Sequence, residues 1–143
     1  MTRFWDSSAV IPLVVEESKS GLLLSLLRDD ERMAVWWGTW VECLSALSRQ
    51  RRDGSLTQDQ ESQARTALRL SMNTWSEVQP IEQVRTITER VLEMHPLKAA
   101  DALQLAAALL WSELAPAQRA FVSLDGRLRE AARKEGFSVL PSG

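Results

Sequence analysis

The chain has 143 residues, of which 45% are hydrophobic, with a formal charge of −2 and a pI near 5.5. That length and apolar content predict one domain, residues 1–143, with a continuous core. The charge excludes the broad basic surface by which many nucleic-acid binders attract phosphate, so any phosphate binding is expected to be local or metal-assisted.

The elements follow in chain order. Residues 1–5 read as a short first strand, and residues 9–15 as a short helix that tolerates Pro12 if it falls in the first turn. A second helix over residues 19–27 sets Leu22, Leu23, Leu26 and Leu27 on one face. "MAVW" at 33–36 is a compact apolar strand. From Thr39 the pattern turns helical, with Val41, Leu44, Ala46 and Leu47 as the expected buried set and Gly54 as the stop.

Residues 56–72 predict another helix, with Ala64, Ala67, Leu68 and Leu70 along one side. Residues 78–81 read as an edge segment, because Pro80 lacks the donor that an interior ladder needs. A helix over 83–93 follows, then a long Ala- and Leu-rich helix over 99–114 that is expected to be buried nearly all round. "AFVSL" at 120–124 is a strand, "RLREAARKEG" a helix ending at Gly136, and "FSVL" the last strand. Strands alternating with helices at this spacing predict a three-layer α/β/α fold around a central parallel sheet.

Cys43 is the only cysteine, so no internal disulfide forms and a buried thiol is expected. The start of the chain lacks the pattern of a secretory signal, and no run reaches the roughly 18 apolar residues of a membrane span. A reducing cytoplasm and no membrane partner are expected.

Four carboxylates stand out. Asp6 follows the first strand, Glu42 comes soon after the second, Asp101 opens the Ala-rich helix and Asp125 follows "FVSL". Each has a plain structural role available. Thr39 to Glu42 spells a T-x-x-E capping box, and the three aspartates suit helix N-caps or first turns. Taken together they suggest more, because the carboxyl ends of strands in an open parallel sheet share the edge where ligands bind. Carboxylates gathered there repel one another until they take up protons or a divalent cation neutralises them. All-oxygen ligands select Mg²⁺ or Mn²⁺, and neither Cys43 nor His95 offers a soft-ligand site. Ser7, Ser8 and Ser123 add hydroxyls that would orient a carboxylate or water, or simply shape turns.

The blocks "FWDSSAVIPLV", "WVECLSALSRQRRDGSLT", "HPLKAADALQLAAAL" and "FVSLDGRLREAARKEGF" resemble, in order and spacing, those of PIN-domain ribonucleases, most of all VapC-type toxins of bacterial toxin–antitoxin pairs. The resemblance spans almost the whole chain; only "EVQPIE" matches weakly. It implies a PIN-like fold and a metal-dependent endoribonuclease in which Asp6, Glu42, Asp101 and Asp125 match the four acidic positions. It also implies a small antitoxin that blocks the site, and a homodimer.

Asp6 and Asp101 are the expected principal metal ligands, with Glu42 and Asp125 completing the shell. Arg49, Arg51 and Arg52 form either the solvated end of a helix or a patch for RNA or antitoxin. Trp36, Trp37 and Trp40 read as core or interface residues, Trp75 and Trp111 as a groove for a partner helix, and His95 as a loop residue. A phosphorylated receiver domain is disfavoured because no Lys follows the last strand, and a D-x-D phosphotransferase because Ser8 replaces the second acid. A silent PIN-like RNA-binding module and a housekeeping RNA-processing nuclease stay open.

Overall fold

The computed structural model describes residues 2–143, so Met1, the expected first residue of the first strand, lies outside the described residues. Twelve elements follow in order: β1 (Arg3–Trp5), α1 (Ser7–Val14), α2 (Ser20–Asp29), β2 (Met33–Trp36), α3 (Thr39–Arg52), α4 (Gln58–Met72), β3 (Ser76–Val78), α5 (Glu82–Met94), α6 (Ala99–Trp111), β4 (Ala120–Val122), α7 (Gly126–Glu135) and β5 (Ser138–Leu140). The strands form one five-stranded sheet, ordered β3-β2-β1-β4-β5 and parallel throughout. The chain builds outward from β1 through β2 to β3, then returns to the other side of β1 with β4. The point where it reverses lies between β1 and β4, where an open parallel sheet leaves a crevice at its carboxyl edge.

Strand alternation divides the core in two. Phe4, Ala34, Trp36 and Phe121 face α5, α6 and α7, where Val84, Val91, Leu105, Leu109 and Leu128 meet them. Trp5, Met33, Val35 and Val122 face the other way, onto Val10 and Ile11 of α1, Leu23 of α2, Cys43 and Leu47 of α3, and Leu68 of α4. Neighbouring residues in one strand thus serve opposite layers, as a two-residue side-chain period requires. The result is the expected three-layer α/β/α architecture. Ala106, Ala107 and Ala108 are all buried, which makes α6 the inner helix of its layer.

Several local expectations need correction. Helix α1 begins at Ser7, so Pro12 sits inside it rather than in its first turn. Of the leucines on α2 only Leu23 is buried; Leu22 is exposed. On α3 the buried positions are Thr39, Cys43 and Leu47, whereas Val41 is 58% exposed. The apolar stripe is therefore rotated from the one expected. Leu70 of α4 is likewise exposed.

The third strand is an edge strand as expected, but it ends at Val78, before Pro80. Helix α6 stops at Trp111, where Glu113 and Leu114 take positive φ. Trp75 and Trp111 pack against the two separate cores, on opposite faces of the sheet, so they do not line a common groove. His95 is the buried C-cap of α5, not a free loop residue. Among the described residues no helix is long and apolar enough to cross a membrane.

Candidate functional site

Asp6 stands one residue beyond β1, and its backbone N–H continues the ladder by donating to the Val122 carbonyl at 3.0 Å. It caps α1 with a carboxylate that accepts from the Ser8 amide, and the Ser8 hydroxyl donates to it at 3.0 Å. The Ser8 hydroxyl also accepts from Leu124 N–H at 2.9 Å and lies 3.4 Å from that of Ser123, tying the end of β1 to the end of β4. Asp125 caps α7 by accepting from Leu128 N–H at 2.9 Å, while its own N–H donates to the Ser123 hydroxyl at 3.1 Å. The Arg129 guanidinium holds this turn by donating to the Ser123 carbonyl at 2.7 Å. Capping and membership of the crevice are therefore compatible for Asp6 and Asp125.

Glu42 does not cap its helix. The N-cap of α3 is Gly38, and Thr39 is the first helical residue, so the T-x-x-E sequence makes no capping box. The Trp36 indole lies over Gly38, where a Cβ would stand 2.5 Å from its Nε1. Glu42 instead accepts from the Ser7 hydroxyl at 2.9 Å and from Gln104 Nε2, which is 3.3 Å from each carboxylate oxygen. Gln104, on α6, was not among the residues the sequence singled out. Its one signal was an amide in an otherwise Ala- and Leu-rich run. Asp101 lies one turn earlier on the same helix, three residues past the Lys98 N-cap.

These elements surround a cavity of about 590 Å³ lined by Asp6, Ser7, Ser8, Glu42, Asp101 and Asp125, with Arg49 at its side. Ser123 joins through Ser8. A groove of about 800 Å³ adjoins it, sharing Glu17, Arg49 and Gln50. Arg51 pairs with Glu61 at 3.4 Å, and neither Arg51 nor Arg52 lines the cavity. Trp37 is 49% exposed, unlike the buried Trp36, and Trp40 lies under Arg69. The buried histidine, His95, bonds Glu135 and takes no part in the cavity.

Among the described residues, none of the four acids has a salt-bridge partner. Burial drives the Asp6 carboxyl up to about 7 against the pull of the Ser123 and Ser8 hydrogen bonds, with Asp101 adding repulsion. Burial also raises Glu42, and Asp101 again adds repulsion. Asp101 is raised by burial and then by Asp125. The Cys43 thiol is pushed up to about 12 by burial, with Glu42 and Asp6 contributing, so it is inert rather than a nucleophile.

A hard divalent cation suits this all-oxygen donor set. As placed, no three Asp, Glu, His or Cys groups among the described residues stand close enough to hold an ion. Asp6 is turned onto Ser8, and Glu42 onto Ser7 and Gln104. The fit is thus one of donor chemistry and a shared cavity.

No protein-family model and no curated protein matches the chain. Solved structures do. A toxin–antitoxin complex from Klebsiella pneumoniae aligns over 86% of each chain at 15% identity and a TM-score of 0.62. VapBC2 from Rickettsia felis, crystallised with a DNA fragment from its promoter, aligns over 97% of this chain and 98% of its own at 9% identity and a TM-score of 0.66. PAE2754 from Pyrobaculum aerophilum aligns over 98% and 90% at 18% identity and a TM-score of 0.64. The fold is PIN-like. At these identities the PIN-like backbone is what is shared, and the chemistry rests on the side chains of this chain.

Proposed function

We propose that the protein is a metal-dependent endoribonuclease, the toxin of a toxin–antitoxin pair. One observation carries the reading. Four carboxylates from four different elements line one cavity at the reversal point of the sheet, and among the described residues no salt bridge neutralises them. Buried carboxyls left without a counter-ion are costly, and a bound cation removes that cost.

Asp6 and Asp101 would hold Mg²⁺ or Mn²⁺, with Glu42 and Asp125 completing the shell directly or through water. When bound, the ion supplies Lewis acidity toward the phosphodiester and acidifies water. The chain does the rest. Ser7 and Gln104 orient Glu42, Ser8 orients Asp6, and Ser123 fixes the turn that carries Asp125. Arg49, which lines the cavity wall, would steady a flanking phosphate.

The antitoxin belongs to the same reading. One structural neighbour is a toxin–antitoxin complex, and another is VapBC2 bound to a promoter DNA fragment. The adjoining groove combines Glu16, Glu17 and Asp53 with Val14, Val15 and Leu56, which suits an arm bearing basic and apolar residues. A homodimer completes the proposal and is tested by sedimentation of the purified protein.

The deciding experiment is cleavage of single-stranded RNA by purified protein with Mg²⁺ or Mn²⁺, stopped by chelator. Absence of cleavage with either ion across a panel of structured and unstructured RNAs, together with no calorimetric uptake of Mn²⁺, would leave a PIN-like binding module instead.

A further inference from the structure

Gln104 sits in the middle of α6, wholly buried among Ala102, Leu105, Ala106 and Ala107. A polar amide in such a place is kept only if its hydrogen-bonding groups are used. Its Nε2 uses both protons. One goes to the Thr39 hydroxyl at 2.9 Å, and the other is shared between Glu42 Oε1 and Oε2 at 3.3 Å each. Among the described residues the Oε1 has no hydrogen-bond partner. Turning the amide over would set that oxygen against the two carboxylate oxygens, so the repulsion fixes its orientation.

The arrangement is unfavourable for folding alone. An apolar side chain of the same volume would remove the unmet Oε1, at the cost of the donor that now satisfies the buried Thr39 hydroxyl. The bond to Glu42 is also indispensable to nothing in the packing, since α3 and α6 belong to different layers with their own cores. What Gln104 does is hold one carboxylate of the cavity from the helix that carries another. It grips Glu42 of α3 from the same helix, and one turn from the same residue, that supplies Asp101. Thr39, itself fully buried at the start of α3, anchors the amide from behind.

We infer that Gln104 is a positioning residue, which together with Ser7 fixes the orientation of the Glu42 carboxylate in the wall of the cavity. The inference rests on the metal-dependent nuclease reading. Ser7 fixes one oxygen from the side of α1, and Gln104 bridges both from α6, so Glu42 is restrained from two layers at once. Groups that orient a ligand commonly alter metal affinity or activity about 10- to 100-fold when removed.

The test compares wild type with Gln104→Met. Three quantities are read: the Mn²⁺ dissociation constant by calorimetry, kcat and KM for single-stranded RNA at saturating Mn²⁺, and the melting temperature in chelator. The expected result is Mn²⁺ binding weakened about tenfold, kcat lowered about tenfold and KM within about twofold, with the melting temperature unchanged within ~3 °C or raised. Equal Mn²⁺ affinity and equal kcat would overturn the inference and leave Gln104 a core residue. If Gln104→Met melts lower than that margin, the isosteric Thr39→Val decides instead. It frees the amide without removing it and is expected to weaken Mn²⁺ binding about threefold, and no change would overturn the inference. A wild type that neither takes up Mn²⁺ nor cleaves RNA defeats the reading of the cavity itself, and this inference with it.

Discussion

Asp6 and Glu135 are both largely buried carboxyl groups, and their surroundings drive them in opposite directions. Glu135 closes α7, where Arg90 donates to both its oxygens at 3.0 and 3.1 Å and His95 Nε2 lies 2.6 Å away. Those partners outweigh the effect of its burial and hold it below the usual glutamate range. Asp6 closes β1 with only hydroxyl and amide donors around it, and it is held near 7. The chain therefore neutralises a buried acid with its own cations where the purpose is to join α5 to α7. At the cavity it leaves the acids to repel one another. Self-neutralised acids are structural; unneutralised ones wait for something else.

Asp101→Asn breaks the cavity's side of this contrast most severely. Cleavage of RNA is expected to fall to that of a chelator-treated control, while the melting temperature holds or rises because one repelling charge is gone. Retained cleavage would remove Asp101 from the site.

The next effect is on stability. Asp6 is protonated in the folded state below about 7, whereas in the unfolded chain it ionises around 3.8. Between those values the folded state binds the extra proton, so stability rises as the pH falls from 7 toward 4. Ionised Asp6 costs the fold on the order of 4 kcal/mol. Asp6→Asn keeps the cap, since Asn caps as well as Asp. In chelator it is expected to melt several degrees higher at pH 7.5 and to lose most of the rise seen in wild type on acidification. An unchanged pH profile in the variant would show that Asp6 is not the group responsible.

Glu135→Gln probes the other member of the pair, with the sign reversed. The stability that Glu135 contributes is present above its ordinary value of 4.5 and drains away as the pH falls through its lower folded value. Loss of its charge is expected to cost about 1–2 kcal/mol at pH 7, limited by the half-exposed Arg90, and to leave RNA cleavage as it was. The smallest effect is expected at the rim. Because Arg51 is engaged by Glu61 and Arg52 stands away from the cavity, Arg49→Gln alone should reproduce most of the loss of salt dependence in RNA binding caused by replacing all three arginines. An equal share for each arginine would point to a diffuse patch.

Four of the five strands were legible because each is a short apolar run bounded by turn residues, whereas β3, built on Ser76 and Glu77, was expected at 78–81 and meets that reading only at Val78. "MAVW" matched β2 residue for residue, and the alternation with helices gave the parallel three-layer sheet. Asp6, Glu42 and Asp125 were legible through their positions after strands and Asp101 through its place at the start of the Ala-rich helix, and the four do line one cavity. What they bind and catalyse stays with the experiments. Thr39 and Glu42 misled because a capping box is local, while their real partners, Ser7 and Gln104, are distant in sequence. Val41 and Leu70 misled for a related reason. Apolar spacing indicates that a helix has a buried stripe, but the packing of α1, α3 and α4 decides where that stripe falls. Gln104 and the Arg90–Glu135–His95 cluster left almost no trace, since pairing between elements distant in sequence has no periodic signature.

The contact of Trp36 with Gly38 carries a practical consequence for any substitution scan. Alanine at this position forces either the indole or the first turn of α3 to shift by a few tenths of an ångström or more, and α3 carries Glu42 on that turn. On the proposed metal-dependent reading, a neutral, apolar change with no titratable atom would then act as a long-range lever on ion uptake, and a methyl group would measure how much misalignment the four acids tolerate.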